Sequence, residues 1–333
     1  MNWSDLNWSI LDRLRDGFLH EAAPASQYWR SHDDLAHYDF TFGARIGWKW
    51  DHVLGELSRR GWQPPLGTTL DWGCGSGVAH RRVISQWPDL LGENTAVRVW
   101  DHSVFSRNYS IDRLRASHPA ADVASWDNRS PATLLVVSHV LNELNEAGQN
   151  ALAAQIDQAQ AVIWLEPGTS SVANALVEWR QRLLPKFRAV YPCPHQGACG
   201  LLKPENARHW CHHFAAPPSW IFADSNWVKF GKQAGIDLRS LPYSALVLER
   251  SEGPESAPQT PIAGRVLGRP TLHKPYARAL GCDSTGVQTL TVPKRTAPQL
   301  VKRWDRAKSP RYFDWKHSDA IVSSIDARFG IDD

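Results

Sequence analysis

The first sixty or so residues carry apolar positions at helical spacing. In "DHVLGELSRRGW" Val53, Leu54 and Leu57 share one face before Gly61 and the Pro64-Pro65 stop. Beyond them the period changes. "TTLDWGCGSG" is a short β-rich run ending in glycines, and "VAHRRVISQWPDL" reads as a helix closed near Pro88. "AVRVWDHS", "TLLVVSHVL" and "AVIWLEPG" predict further strands, the last two buried; "NEAGQNALAAQIDQAQ" and "SSVANALVEWRQRLL" predict helices, and "YSALVLER" a late strand of the same sheet. Strands alternating with helices imply an α/β fold built on a doubly wound, mostly parallel sheet. A polar Pro/Ser stretch, "SEGPESAPQTP", then reads as a linker, and "GRVLGRPTLH", "YARALGC" and "GVQTLTVPK" as a small β-rich appendix. The expected organisation is a helical region over 1–62, a core over 63–250 with a cysteine-rich insertion at 193–213, a linker over 251–263 and a C-terminal module over 264–333.

The glycine run carries the first chemistry. "LDWGCGSG" puts Asp71, Gly73, Gly75 and Gly77 at the end of a strand and the start of a helix, where a tight turn lets a ligand approach the backbone. The dinucleotide fingerprint needs a third glycine where Val78 stands, so the spacing is GxGxG and departs from the NAD form. With Asp101 closing the next strand thirty residues after Asp71, the pattern resembles the class I S-adenosylmethionine (SAM) methyltransferases, a Rossmann-like fold. That resemblance implies SAM as cofactor, with the first acid and the glycines at its methionine end and Asp101 on the ribose hydroxyls, since each carboxylate oxygen accepts hydrogen bonds. Asp127 falls where the family contacts adenine; a simple turn aspartate is the alternative. The chain lacks an Asn-Pro-Pro-Tyr loop after the fourth strand. It has "SHVLNEL" there, in which Ser138, His139, Asn142 and Glu143 are polar groups at the strand's carboxyl end. His139 is a candidate base and Asn142 a candidate contact, against capping or hydrogen-bonding roles for the same residues.

Charge alters the picture of the C-terminal part. From Gly264 to His317 there are twelve Lys or Arg and three acids, a net +9 within a chain of formal charge +3, which points to a polyanion-facing module. No run approaches a membrane span, and the N-terminus shows neither an apolar signal core nor an acid-poor transit peptide. The expected setting is the cytosol, and the expected free state a monomer.

Only five cysteines occur, and three of them stand in "CPHQGACGLLKPENARHWCHH". A reducing compartment disfavours a disulfide between Cys193 and Cys199. Their spacing to Cys211 does not match a compact zinc knuckle, so a fourth ligand must come from His195, His209, His212, His213 or the distant Cys282. Cys74, inside the glycine run, reads as a small buried filler.

"EPGTSS", "CPHQGACGLLKPE", "WCHHF", "YSALVLER" and a basic segment holding one more cysteine together resemble the mitochondrial small-ribosomal-subunit methyltransferase-like family, that of methyltransferase-like protein 17 in animals with bacterial relatives. The helical "ARIGWKWDHVLGELSRRG" is similar too, so the likeness runs from about Ala44 to Trp315. It implies that Cys193, Cys199, Cys211 and Cys282 ligate a four-iron four-sulfur cluster, zinc being the alternative, that the partner is small-subunit rRNA, and that the setting is bacterial cytoplasm, or the mitochondrial matrix in a eukaryote. Three functions remain open at this stage: a SAM-dependent rRNA methyltransferase or assembly protein, a catalytically inactive rRNA-binding assembly factor, and a zinc-stabilised small-molecule methyltransferase.

Overall fold

The computed structural model describes residues 1–20, 28–251, 264–304 and 311–328. It forms two compact units, one of Met1–Ser58, Trp62–Glu166 and Ala216–Leu241, the other of Arg59–Gly61, Pro167–Ala215 and Pro242–Asp333. The division cuts across the sequence-based boundaries, because the cysteine-rich segment and the C-terminal strands belong to one unit. Most of the expected linker, 252–263, lies outside the described residues, as do Arg306 and Lys308 of the basic run.

The first unit begins with α1 (Trp8–His20), α2 (His32–Tyr38) and α3 (Ala44–Arg59), the last two joined by a π-helical turn over Asp39–Gly43. Leu14, Trp29 and Leu35 form the core of this helical layer. The sheet consists of β1 (Thr68–Trp72), β2 (Ala96–Trp100), β3 (Val123–Ser125), β4 (Leu134–Ser138) and β5 (Ala161–Pro167), all parallel in the order β3-β2-β1-β4-β5. β4 and β5 are nearly continuous runs of buried residues, as strands covered on both faces must be. The intervening helices are α4 (Val78–Gln86), α5 (Val104–Ser117) and α6 (Glu146–Ile156). Order and direction are those of the Rossmann-like class I methyltransferase fold, with the strand order reversing between β1 and β4. In such sheets the crevice beyond the carboxyl ends at that reversal is where ligands bind.

The second unit holds α7 (Ser170–Leu183), β6 (Phe187–Tyr191), β7 (His213–Ala215) and β8 (Leu241–Arg250), with β6 antiparallel to β8 and β7 beside it. The C-terminal strands, β9 (Gly264–Leu272), β10 (Tyr276–Asp283), β11 (Gly286–Pro293), β12 (Tyr312–Ser318) and β13 (Ile321–Arg328), close into a barrel in the order β10-β11-β13-β12-β9. A short helix over Pro298–Arg303 lies between the third and fourth strands. The barrel is filled by Val266, Ala279, Leu290, Val292, Trp304, Phe313, Trp315 and Val322. Gly264 admits Trp315, whose ring would stand 2.2 Å from any Cβ there. Trp315 Nε1 donates to Asp283 Oδ2 at 2.8 Å, so the polar edge of that ring is satisfied.

Candidate cofactor site and cysteine pocket

In the first unit a cavity of about 110 Å³ opens at the carboxyl ends of β1, β2 and β4, lined by Gly73 to Ser76, Trp100, Asp101, His102, Ser138, His139 and Glu143 among others. The glycine loop bends through left-handed backbone at Gly73, Gly75 and Gly77 (φ 77°, 50° and 76°). At Gly73 a Cβ would come within 2.5 Å of Val140, whereas at Gly75 the space is open. Gly75 N donates to Asp101 Oδ2 at 3.0 Å and Ser103 N to Asp101 Oδ1 at 2.8 Å, which fixes the carboxylate at the rim with a lone pair on each oxygen to spare. Burial raises the Asp101 pKa, against the lowering effect of these two amides. From the other side the π-helical turn supplies Asp39, whose Oδ1 accepts from Ser76 Oγ at 2.9 Å and from Arg81 at 2.6 Å.

The sequence-predicted residues divide into two groups. Gly73, Gly75, Asp101 and His139 lie on the cavity wall. Gly77 does not line it but caps α4, a position where a Cβ would strike His80 and Ser110. Asp71 also departs from expectation. It is wholly buried and turned away from the cavity, with His80 Nδ1 at 2.7 Å from its Oδ2. Its β1 position points the side chain under the glycine loop, where it braces α4. Asp127 is exposed and accepts from Arg129 N and Ser130 N, the turn-aspartate alternative, and these amides hold its pKa below the usual range. Asn142 is exposed and outside the lining.

Sequence reasoning missed a polar relay at the edge of this cavity. His139 holds a left-handed backbone (φ 56°), an uncommon strain for a non-glycine residue, and its Nε2 lies 3.4 Å from Lys49 Nζ. On its other edge Nδ1 is 3.3 Å from Ser138 Oγ, which also accepts from Trp50 Nε1 at 3.1 Å. Burial and the adjacent Lys49 hold the His139 pKa well below normal, so its ring is neutral. Burial, then Arg45, lowers Lys49 to about 7. The turn carrying His139 is held by Glu166, whose Oε1 accepts from Val140 N, Leu141 N and Trp164 Nε1 at 3.1, 3.3 and 2.7 Å. Burial raises Glu166 to about 7. Glu143 is an exposed residue on the cavity lining, and desolvation of its carboxyl, then the charges of Asp101 and Glu166, pushes it up to about 8. Lys49 sits in the buried stripe of α3 and was legible only as a charge interrupting an apolar face. Such a set can exchange a proton near neutral pH.

The second unit gathers Cys193, Cys199, Cys211 and Cys282 around one cavity with Arg180, His195 and Arg265. β10 delivers Cys282, packed with Leu201 and Leu267 against Cys199 and Cys211. All four thiols are free. Arg180 Nε lies 2.9 Å from Cys193 Sγ, and its other nitrogens donate to the Gly197 and His195 carbonyls, so one guanidinium organises the loop. Arg265, buried, lies over Tyr191 and Tyr312. Burial raises the Cys199, Cys211 and Cys282 thiol pKa values, Cys211 to about 12, and the thiols raise one another. Among the described residues no three His, Cys, Asp or Glu side chains are grouped so as to hold a metal ion. Cys74 is buried beside Ser110 Oγ, in keeping with a filler role. No helix among the described residues is long and apolar enough to cross a membrane.

Comparison with known proteins gives one strong match and several distant ones. The plantazolicin methyltransferase BpumL in complex with SAH is 10% identical over 73% of this chain and 98% of its own, with a TM-score of 0.39. Magnesium protoporphyrin IX methyltransferase from Synechocystis PCC 6803 with bound SAH is 12% identical over 62% of this chain and 84% of its own, with a TM-score of 0.36. An rRNA methylase from Streptococcus thermophilus is 10% identical over 58% and 92%, with a TM-score of 0.34. No curated protein matches the chain in sequence. The family model "Mitochondrial small ribosomal subunit Rsm22" matches residues 61–311, spanning the glycine loop, the cysteine segment and the first three strands of the barrel. The chain belongs to the Rsm22 family of the mitochondrial small ribosomal subunit.

Proposed function

We propose that this chain binds SAM in the first unit and acts on the small ribosomal subunit, methylating its rRNA or supporting its assembly. The observation that carries the reading is the cavity beyond β1, β2 and β4, where Gly75 offers open backbone and Asp101 offers two fixed acceptor oxygens at its rim. A ribose diol suits those oxygens, and the space over Gly75 suits a ligand lying against the loop. The neutral His139, with Lys49 behind it, supplies an acceptor for a proton leaving a methylated group. Family membership supports the ribosomal partner, and the basic C-terminal segment supports contact with its phosphates. A second reading, an assembly factor without methyl transfer, is favoured by the Ser138–His139 turn, which offers neither a cysteine nucleophile nor an Asn-Pro-Pro-Tyr loop.

The four cysteines match in number the four thiolates that a four-iron four-sulfur cluster requires. Four thiols line the cavity, with His195 Nε2 3.8 Å from Cys282 Sγ, and Arg180 and Arg265 stand where the negative charge of such a centre would need compensation. Cys193, Cys199, Cys211 and Cys282 would hold it, joining loop to barrel. Bound there, it would act as a covalent staple and an electron-accepting group.

The deciding experiment maps methylated nucleotides on small-subunit rRNA in cells lacking the protein, then complements with wild type or Asp101→Asn. A methyl group lost on deletion, restored by wild type and not by Asp101→Asn, is the expected result. Unchanged methylation with stalled subunits selects the assembly reading, and unchanged methylation with normal subunits overturns both.

A further inference from the structure

We infer that the C-terminal barrel is a single-stranded RNA-binding module whose stacking platform is Tyr276 with His273. This deepens the ribosomal reading above and rests on it for the identity of the polymer. Numbered within the barrel, the closed order is 1-2-3-5-4 returning to 1. The third and fifth strands are parallel, at Thr291 and Ile321, and a helix lies between the third and fourth. That is the connectivity of the oligonucleotide- and oligosaccharide-binding barrel, whose ligands lie across the second and third strands between the first and last hairpin turns.

The residues on that face match a nucleic acid. On β10 the buried side chains alternate, leaving Tyr276 half-buried and Arg278 exposed on the outer surface. Arg278, Thr291 and Ile321 stand side by side across β10, β11 and β13, and Ile321 is 54% exposed. In the turn before β10 the His273 ring lies against Tyr276, centroids 4.6 Å apart and 34° between planes, while the Arg278 guanidinium lies 5.7 Å from the same ring. His273 N donates to Tyr276 O, and Lys294 N to Pro275 O, so the turn and the exit of β11 form one rigid corner. Around that corner Lys274, Lys294 and Arg295 are exposed. Aromatic faces flanked by cations are what unpaired bases and their phosphates need, and an oligosaccharide would make no use of the cations. The other end of the face is covered by the cysteine pocket, where Leu280 and Val287 pack on Leu201, Leu267 and Cys282. The free surface is therefore short, room for about four nucleotides, the lower end of the range for such barrels.

The test uses the full chain, anaerobically purified, with fluorescence anisotropy of a labelled twelve-nucleotide single-stranded RNA, a duplex RNA of equal length and intact small-subunit rRNA at several salt concentrations. Single strand should bind tighter than duplex. Tyr276→Leu, which keeps apolar cover, should weaken single-strand binding about tenfold. The exposed pair Arg278→Gln with Lys294→Gln should lower the magnitude of the salt slope by about 1.4, two phosphate contacts at about 0.7 each. Should Tyr276→Leu unfold, the charge pair decides. Wild-type behaviour in both variants, or duplex bound as tightly as single strand, overturns the inference. Binding to rRNA without binding to the oligonucleotide overturns it while leaving the ribosomal reading intact, and absence of binding to any of the three RNAs overturns both.

Discussion

Asp71 and Asp101 show how little a residue type says about its job. Both are aspartates near the ends of adjacent strands, yet one is sealed beneath the glycine loop against His80 and the other faces the cavity with both oxygens already oriented. Position along the chain made the difference, since Asp71 is still inside β1, paired with Val99, whereas Asp101 lies just past the end of β2 where the chain turns over the cavity. Asp71→Asn should therefore cost about 2 kcal/mol of stability, by weakening a buried hydrogen bond, while leaving SAM affinity within a factor of a few. Urea unfolding and calorimetry separate the two effects, and a loss of SAM affinity without a loss of stability would return Asp71 to the cofactor. Glu143 gives a pH prediction. Its carboxyl is raised to about 8, so below that pH the cavity wall carries a proton. A sulfonium cation bound nearby lowers that pKa, and by linkage affinity must rise as pH rises through the interval. SAM binding should be severalfold tighter at pH 8.5 than at pH 6.5, and Glu143→Gln should flatten the profile.

At the level of elements, the strands with strong apolar runs were legible: β1, β2, β4, β5 and β8 all fall where the sequence predicts them, as do α4, α6 and α7. So were the first three strands of the barrel. The elements missed lack the signal on which such reading depends. β3 is three residues long, and α5 buries Ser106 and Ser110 with Leu114, so a face that is internal in space looks polar in sequence. The last two barrel strands alternate but carry many exposed polar residues, and closure of the barrel depends on the long-range β11–β13 and β9–β12 pairings. The site was half legible, because Gly73, Gly75 and Asp101 follow from a local motif, whereas Lys49 and Glu166 reach His139 only through the fold. The cysteine loop and β10 carry the element-scale prediction. Anaerobically purified protein should be brown with about four iron per chain, and Cys282→Ser should lose most of that iron. A colourless wild type prepared in this way contradicts the cluster.

For the molecule as a whole, the division of labour follows the chain's charge. The glycine loop, Asp101 and the His139 relay lie in the first unit, and the cysteine pocket and the cationic barrel lie in the second. Such an arrangement suits a protein that carries a cofactor in one unit and grips a polyanion with the other. The cofactor half of this account depends on the first cavity accepting SAM. Calorimetric titration of SAM into the full, anaerobically purified chain, beside the Asp101→Asn variant, tests that most directly. The account predicts one SAM per chain for the wild type, and for Asp101→Asn an affinity lower by about 1–3 kcal/mol through the lost ribose acceptor. No binding heat with the folded wild type, or equal affinity in the two proteins, would contradict it.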